Sequence, residues 1–123
     1  MDAQDTMRLM FDTMDAYDRG DFDRLGEVYA EDASWLNVDS HGPHCRDRSD
    51  IFTMFRERMD SGLRVTFDEM RSTPTHVVLT VRIDGFDPVV SVFSFEGRRI
   101  VRVQDYRSME AAESALAQAV GEG

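Results

Sequence analysis

Hydrophobic residues near the start of the chain recur at spacings of three and four, the pattern of an amphipathic helix. This pattern predicts a first helix over residues 5–19, which the Arg19-Gly20 pair ends. Asp21 and Ser49 are suitable N-caps for two further helices, predicted over residues 21–30 and 49–60. The predicted inward-facing side chains of the three helices include Met10, Met14, Tyr17, Leu25, Phe55 and Met59.

Alternation of apolar and polar residues, the pattern of half-buried strands, fills most of the remaining chain. It predicts strands over residues 33–38, 64–71, 75–84, 89–95 and 99–107, with turn-forming residues between them. A last helix is predicted over residues 109–120 with Ser108 as its cap. Helices at the start and strands together afterwards predict an α+β fold, in which a curved antiparallel sheet packs its concave face on the N-terminal helices. Such a sheet leaves a hollow.

Length and composition predict one globular domain over residues 1–123. The chain is 41% hydrophobic, which is an ordinary globular composition. No apolar run approaches the ~20 residues of a membrane-spanning helix, and the polar, acidic first residues lack the features of a secretory signal. We therefore expect a cytoplasmic protein that does not associate with membranes.

The net charge of the chain disfavours some classes of binding partner. There are 24 acidic and 14 basic residues, and the net charge of −10 repels phosphate backbones and anionic headgroups. We therefore expect no nucleic-acid partner. Cys45 is the one cysteine, so a disulfide within the chain is impossible.

The segment His41-x-x-His44-Cys45 contains side chains that can bind zinc. A loop without a helical or hairpin frame seldom fixes a tetrahedral site, so we expect no metal. Nor does the sequence contain a Gly-rich phosphate loop, a catalytic serine motif or a dinucleotide fingerprint, and we expect no cofactor.

Three segments resemble the nuclear transport factor 2-like superfamily, especially its SnoaL-like members. They are residues 17–25, 29–33 and 95–100, which read YDRGDFDRL, YAEDA and FEGRRI. The resemblance implies a cystatin-like cone fold, which hosts isomerases, cyclases, hydrolases, dehydratases and binding modules and so does not fix an activity. It also implies a homodimer formed through the convex face of the sheet, where we expect Ile100 and Tyr106 to lie.

Two enzyme groups of this superfamily differ in how well their catalytic residues match this chain. Polyketide cyclases resemble the chain in having a last-strand aspartate that acts as general acid and base, the place of Asp105. In ketosteroid isomerases a carboxylate base lies at the position similar to Asn37, and an amide cannot accept the proton, which disfavours that activity.

The site pattern is most similar to that of limonene-epoxide hydrolases, at Trp35-Leu36-Asn37, Arg82-Ile83-Asp84 and Asp105-Tyr106. The resemblance implies that Asp105 is the base on a water also held by Asn37. It implies that Asp84 is the acid and that Arg82 lies between the two carboxylates. Trp35 replaces the family's tyrosine. The alternative is that Arg82 and Asp84 lie on a solvated face, because they alternate with the apolar residues of their strand.

These observations predict a small-molecule pocket protein. The favoured function is a cofactor-independent enzyme that acts on an apolar substrate by aspartate acid/base chemistry, most like epoxide hydrolysis. The alternatives are a SnoaL-like cyclase or isomerase and a non-catalytic ligand-binding or dimerisation module. Convergence of Asp84 and Asp105 would favour the enzyme. The candidate substrate-binding residues are Trp35, Tyr17, Phe55, Met59 and Phe93.

Overall fold

The computed structural model describes residues 1–39 and 44–121, and this part of the chain forms four helices and five strands. The predicted α+β fold class is confirmed. Residues 29 and 30, predicted to end the second helix, instead begin the first strand. The elements in chain order are α1 (Ala3–Arg19), α2 (Phe22–Val28), β1 (Tyr29–Asn37), α3 (Arg48–Asp60), β2 (Val65–Ser72), β3 (His76–Ile83), β4 (Val89–Glu96), β5 (Arg99–Tyr106) and α4 (Met109–Gly121).

Helix ends are fixed by short-range caps. Gly20 adopts a left-handed conformation with φ 66° and ends α1, as the sequence predicted. The carboxylate of Asp21 accepts a hydrogen bond from the backbone N–H of Arg24 and caps α2. The cap of α3 is Asp47 and not Ser49, because the extended backbone of Asp47 lets its carboxylate accept from a backbone N–H of the first turn.

The five strands form one curved, open sheet in the order β1-β5-β4-β3-β2. Strands β2 to β5 pair antiparallel, as predicted. Strand β1 pairs parallel with β5, which differs from the predicted all-antiparallel sheet. Parallel neighbours need a long crossover connection. Here the rest of the chain between β1 and β5 supplies it.

Helices α1, α2 and α3 pack on one side of the sheet, which we call the inner face. This side holds the larger core, in which Leu25, Ile51, Val77 and Val103 are fully buried. Met10 and Phe55 are also buried, as the sequence predicted. Met14 is only half-buried although it was expected in the core.

A bulge in β2 keeps apolar side chains on the inner face. The pairing register of β2 shifts between Asp68 and Met70, and Glu69 adopts a positive φ of 36° there. The extra residue lets Phe67 and Met70, three positions apart, both pack on the inner core. A bulge also bends its strand, which contributes to the curvature of the sheet.

Helix α4 covers part of the opposite side of the sheet, which we call the outer face. It packs over Val78, Val90, Val92 and Tyr106, which form a second apolar cluster. Tyr106 is therefore buried within the chain and not available on an outer dimer surface. Ile100 is fully buried in the inner core, where a register irregularity between Ser94 and Phe95 interrupts the strand alternation. Homodimer formation stays a prediction, but these two residues do not support it.

None of the described helices is both long enough and apolar enough to cross a bilayer.

Candidate functional site

A pocket opens between α1, α3 and the inner face of the sheet. Its empty space is about 430 Å³, a volume that includes open solvent at the mouth as well as the cavity itself. The buried lining residues form its floor, whereas Met14, Tyr17, Arg58, Val65 and Phe67 are half-buried and form its mouth. The complete lining is Met10, Thr13, Met14, Tyr17, Leu25, Tyr29, Trp35, Phe55, Arg58, Val65, Phe67, Val81 and Phe93.

Four of the five predicted substrate-binding residues lie in this lining, namely Tyr17, Trp35, Phe55 and Phe93. Met59 does not, because it follows Phe55 by four positions and packs half-buried against the core beside the pocket.

The aromatic rings of the pocket are held edge to face. The Phe55 ring lies 4.9 Å from that of Tyr17 and 5.8 Å from that of Trp35, measured between centroids. Trp35 also packs against Phe93 at 5.8 Å. Such T-shaped pairs stabilise a defined ring orientation by about 0.5–1.5 kcal/mol each. These contacts therefore favour one arrangement of the rings in the pocket wall.

Asp105 lies behind the Trp35 wall of this pocket. It follows Val103 on the inner face of β5 and is only 3% exposed. The indole Nε1 of Trp35 donates to its Oδ2 at 2.8 Å, and the hydroxyl of Ser91 donates to its Oδ1 at 2.5 Å. Burial raises the pKa of Asp105 above the ordinary aspartate value, against smaller opposing effects of the Ser91 and Trp35 hydrogen bonds and the charge of Arg58.

Asn37 and Asp105 are brought together, because the parallel pairing of β1 with β5 makes them register partners. Asn37 is buried, and the next residue, Val38, donates its backbone N–H to the carbonyl of Asp105 at 3.0 Å. The first and last strands thus build one end of the site jointly.

Arg82 and Asp84 are not brought to Asp105. Val81 and Ile83 face the inner core, so Arg82 between them points to the outer face. There its Nε lies 2.5 Å from an Oδ2 of Asp68, and the two side chains are 55% and 50% exposed. Asp84 is exposed in the turn after β3. The expected convergence of two carboxylates around Arg82 is therefore wrong for this fold.

The sequence analysis did not predict two residues that contribute to the site, Ser91 and Arg58. Ser91 was not among the predicted site residues, although its place on β4 opposite Asp105 makes it a donor to that carboxyl. Arg58 follows Phe55 by three positions, and this helical spacing could have indicated that both face the pocket.

The zinc interpretation of the loop rests in part on His41, which lies outside the described residues. Within the described ranges 1–39 and 44–121, no three His, Cys, Asp or Glu side chains group as metal ligands do. Cys45 is buried, and its backbone pairs with that of Trp35. Burial also raises the pKa of its thiol, which disfavours a reactive thiolate.

The raised pKa of Asp105 predicts a specific pH dependence of stability. The folded chain keeps the Asp105 proton to a higher pH than the unfolded chain, so this group stabilises the fold at low pH. The contribution is lost as the pH rises from the ordinary aspartate value, about 4, through the raised value. Asp105→Asn removes this pH-dependent loss of stability, because the asparagine amide does not titrate. We expect the variant's unfolding free energy, relative to wild type, to increase over that pH window in urea titrations, and a decrease would contradict the assignment.

The family model for the SnoaL-like domain matches residues 11–107. No curated protein matches the chain in sequence. Among solved structures, Bal32a from a soil-derived mobile gene cassette is similar, with a TM-score of 0.71 at 20% identity, over 85% of this chain and 89% of that one.

Two further similar structures are of proteins described as enzymes. IdmH from Streptomyces antibioticus, a proposed polyketide cyclase, is similar with a TM-score of 0.64 at 18% identity, over 82% of this chain and 90% of that one. An LEH-like epoxide hydrolase from M. tuberculosis is similar with a TM-score of 0.64 at 19% identity, over 88% and 81%. These identities show a shared fold only. The match to the family model covers most of the chain, and the protein therefore belongs to the SnoaL-like domain family.

Proposed function

We propose that this protein binds a small, largely apolar molecule in its pocket and moves a proton on it with Asp105, without a cofactor. The observation that carries the proposal is the carboxyl of Asp105, which is buried beside an apolar pocket and held by two neutral donors. Burying a carboxyl costs free energy unless a cation or metal balances it. A carboxyl with a raised pKa is a stronger base than an ordinary aspartate, which suits it to accept a proton and return it.

Trp35 connects this carboxyl to the pocket. Its ring lines the cavity, and its Nε1 contacts Asp105, so the carboxyl lies one side chain behind the cavity wall. In the proposed reaction, a substrate group replaces the indole N–H at Oδ2, while Ser91 keeps its hydrogen bond to Oδ1. The proton then moves between the substrate and Oδ2 of Asp105.

One carboxyl favours a cyclase or isomerase type of reaction over epoxide hydrolysis. Epoxide opening of the expected kind needs an acid and a base at once, and Asp84 lies in the exposed turn after β3, whereas Asp105 is buried. Removal and return of a proton next to a carbonyl needs only one group that alternates between the two states. A proposed polyketide cyclase with the same fold is consistent with this preference.

Proton exchange tests the reaction type directly. We expect wild-type protein to speed deuterium incorporation next to the carbonyl of 2-tetralone and related benzyl ketones in D₂O, measured by ¹H NMR. The rate should increase with pH and level off above the raised pKa of Asp105, since only the carboxylate accepts the proton. Styrene oxide and limonene oxide serve as the comparison substrates. Diol formation without ketone exchange would support the hydrolase instead.

A binding module is the second candidate, and a specific observation favours it. Both oxygens of Asp105 already accept hydrogen bonds, and the pocket lining does not include Asp105 itself. In this case the carboxyl would only hold β4, β5 and the Trp35 ring together. Ligand binding without exchange or hydrolysis across both substrate classes would establish this alternative.

A further inference from the structure

Arg58 is the charged residue that lines the pocket, among the residues that the structure describes. It lies on α3 three positions after Phe55, so both side chains face the cavity. Arg58 is half-buried at the mouth, whereas the floor is apolar and aromatic. A guanidinium in the pocket wall does not stabilise the binding of a purely apolar molecule.

Among the described residues, no carboxylate forms an ion pair with Arg58. Within residues 1–39 and 44–121, the ion pairs below 4.0 Å involve four other arginines, Arg19, Arg24, Arg71 and Arg82. All four lie on the protein surface, where such pairs contribute little. The arginine at the pocket mouth thus keeps its hydrogen-bonding fork available for a ligand.

Tyr17 is the polar neighbour of Arg58 at the mouth. Burial raises the pKa of Tyr17, and two nearby charges have smaller effects: the guanidinium of Arg58 lowers this pKa, and the carboxylate of Asp18 raises it. The phenol therefore stays protonated, and its O–H remains a donor. Two donors of different elements, α1 and α3, stand side by side at the entrance.

The net charge of the protein opposes anion binding, whereas the charge at the pocket mouth favours it. At −10, the surface as a whole repels anions. A single cation in a partly desolvated wall interacts more strongly with an anion than a surface cation does, because less water screens the pair. Local attraction at the mouth can therefore outweigh the general repulsion.

We infer that the ligand of this pocket is an amphipathic acid, with one carboxylate bound by Arg58 and Tyr17 at the mouth and an apolar ring inserted among Phe55, Trp35 and Phe93. The planar guanidinium matches a carboxylate with two parallel hydrogen bonds. The inference rests on the proposed function only in using the same pocket. It also orients the ligand, since the end opposite the carboxylate comes nearest to Trp35 and Asp105.

The single tryptophan, Trp35, provides the measurement because it lines the pocket. Quenching of its fluorescence reports the binding of 4-phenylbutanoate and of 4-phenylbutanamide, which differ only in the charged group. We expect the carboxylate to bind roughly 10- to 100-fold more tightly than the amide, the usual effect of a charge-assisted hydrogen-bonded pair. Arg58→Met should reduce carboxylate affinity to that of the amide and leave amide affinity within about twofold.

Arg56→Met is the matched control. It removes the same charge from the same helix, but Arg56 is exposed and its guanidinium stacks over Phe22 at 4.3 Å, outside the lining. This variant should keep the carboxylate preference. Unchanged amide binding shows that Arg58→Met is folded. If that variant does not fold, Arg58→Lys replaces it. Lysine keeps the charge but lacks the planar guanidinium, so this variant should show an intermediate preference for the carboxylate.

Three results would overturn the inference: equal affinity of the two probes for wild type, a preference that survives both Arg58 substitutions, or no quenching by either probe up to about 5 mM. The outcome is separate from that of the proposed reaction, because equilibrium binding needs no turnover. Asp105→Asn protein should still prefer the carboxylate. Loss of exchange activity with intact carboxylate preference would therefore leave this inference standing.

Discussion

Replacing Asp105 by asparagine should lower the rate of proton exchange by roughly 10²- to 10⁴-fold, the usual contribution of a positioned acid or base. The amide has nearly the shape and volume of the carboxyl but cannot accept the proton. Trp35 must donate, and it can still donate to the amide oxygen. The Ser91 hydroxyl can rotate to accept from the amide N–H, so both contacts survive.

The control for this prediction is Asp84→Asn, the same chemical change at an exposed position in the turn after β3. It should leave the exchange rate within about twofold, as surface substitutions usually have small effects. Asp105→Asn protein should also bind the phenylbutanoate probe normally. If Asp84→Asn were as damaging as Asp105→Asn, the two-carboxylate mechanism would be restored and the single-carboxyl proposal would fail.

Phe55→Ala should destabilise the fold by about 3–5 kcal/mol, the typical cost of removing a buried aromatic side chain. Phe55 is only 3% exposed, and its ring packs against those of Tyr17, Tyr29 and Trp35. Its loss leaves three rings without their common neighbour and widens the pocket. Because small domains have about 5–15 kcal/mol of stability in total, the variant should unfold at much lower urea concentration.

Phe11→Ala is the matched control for this stability measurement. Phe11 lies on α1 but is 53% exposed, so the same substitution should change the unfolding free energy by no more than about 0.5 kcal/mol. Equal effects of the two substitutions would mean that Phe55 is not a central packing residue. The aromatic wall of the pocket would then have to be held by other contacts.

The element boundaries were largely predictable because local patterns determine them. Apolar spacing of three and four placed α1, and Gly20 ended it through a left-handed conformation that glycine adopts easily. Two features depended on distant contacts and were missed. Tyr29 has no local signal that it starts a strand, and the parallel pairing of β1 with β5 depends on the whole chain between them.

The site was predictable in part, for a similar reason. Strand alternation correctly placed Asp105 on the face of Val103, and the same rule already indicated that Arg82 and Asp84 could face outward. The similarity to epoxide hydrolases favoured the opposite orientation, and the structure does not support it. The Ser91 contact to Asp105 was not predictable, because it depends on the register between β4 and β5.

The position of β5 between β1 and β4 also bears on how the chain folds. Trp35 and Asp105 are hydrogen-bonded although they lie 70 residues apart, and closing a loop of that length is slow compared with helix formation. During synthesis, α1 to α3 and β1 leave the ribosome well before the strand that completes the sheet. Strand β5 joins β1 to the rest of the sheet, so the hydrogen bond between Trp35 and Asp105 can form only after β5 has been made and has paired. We therefore expect the Trp35 wall of the pocket and the buried carboxyl to be assembled together, late in folding.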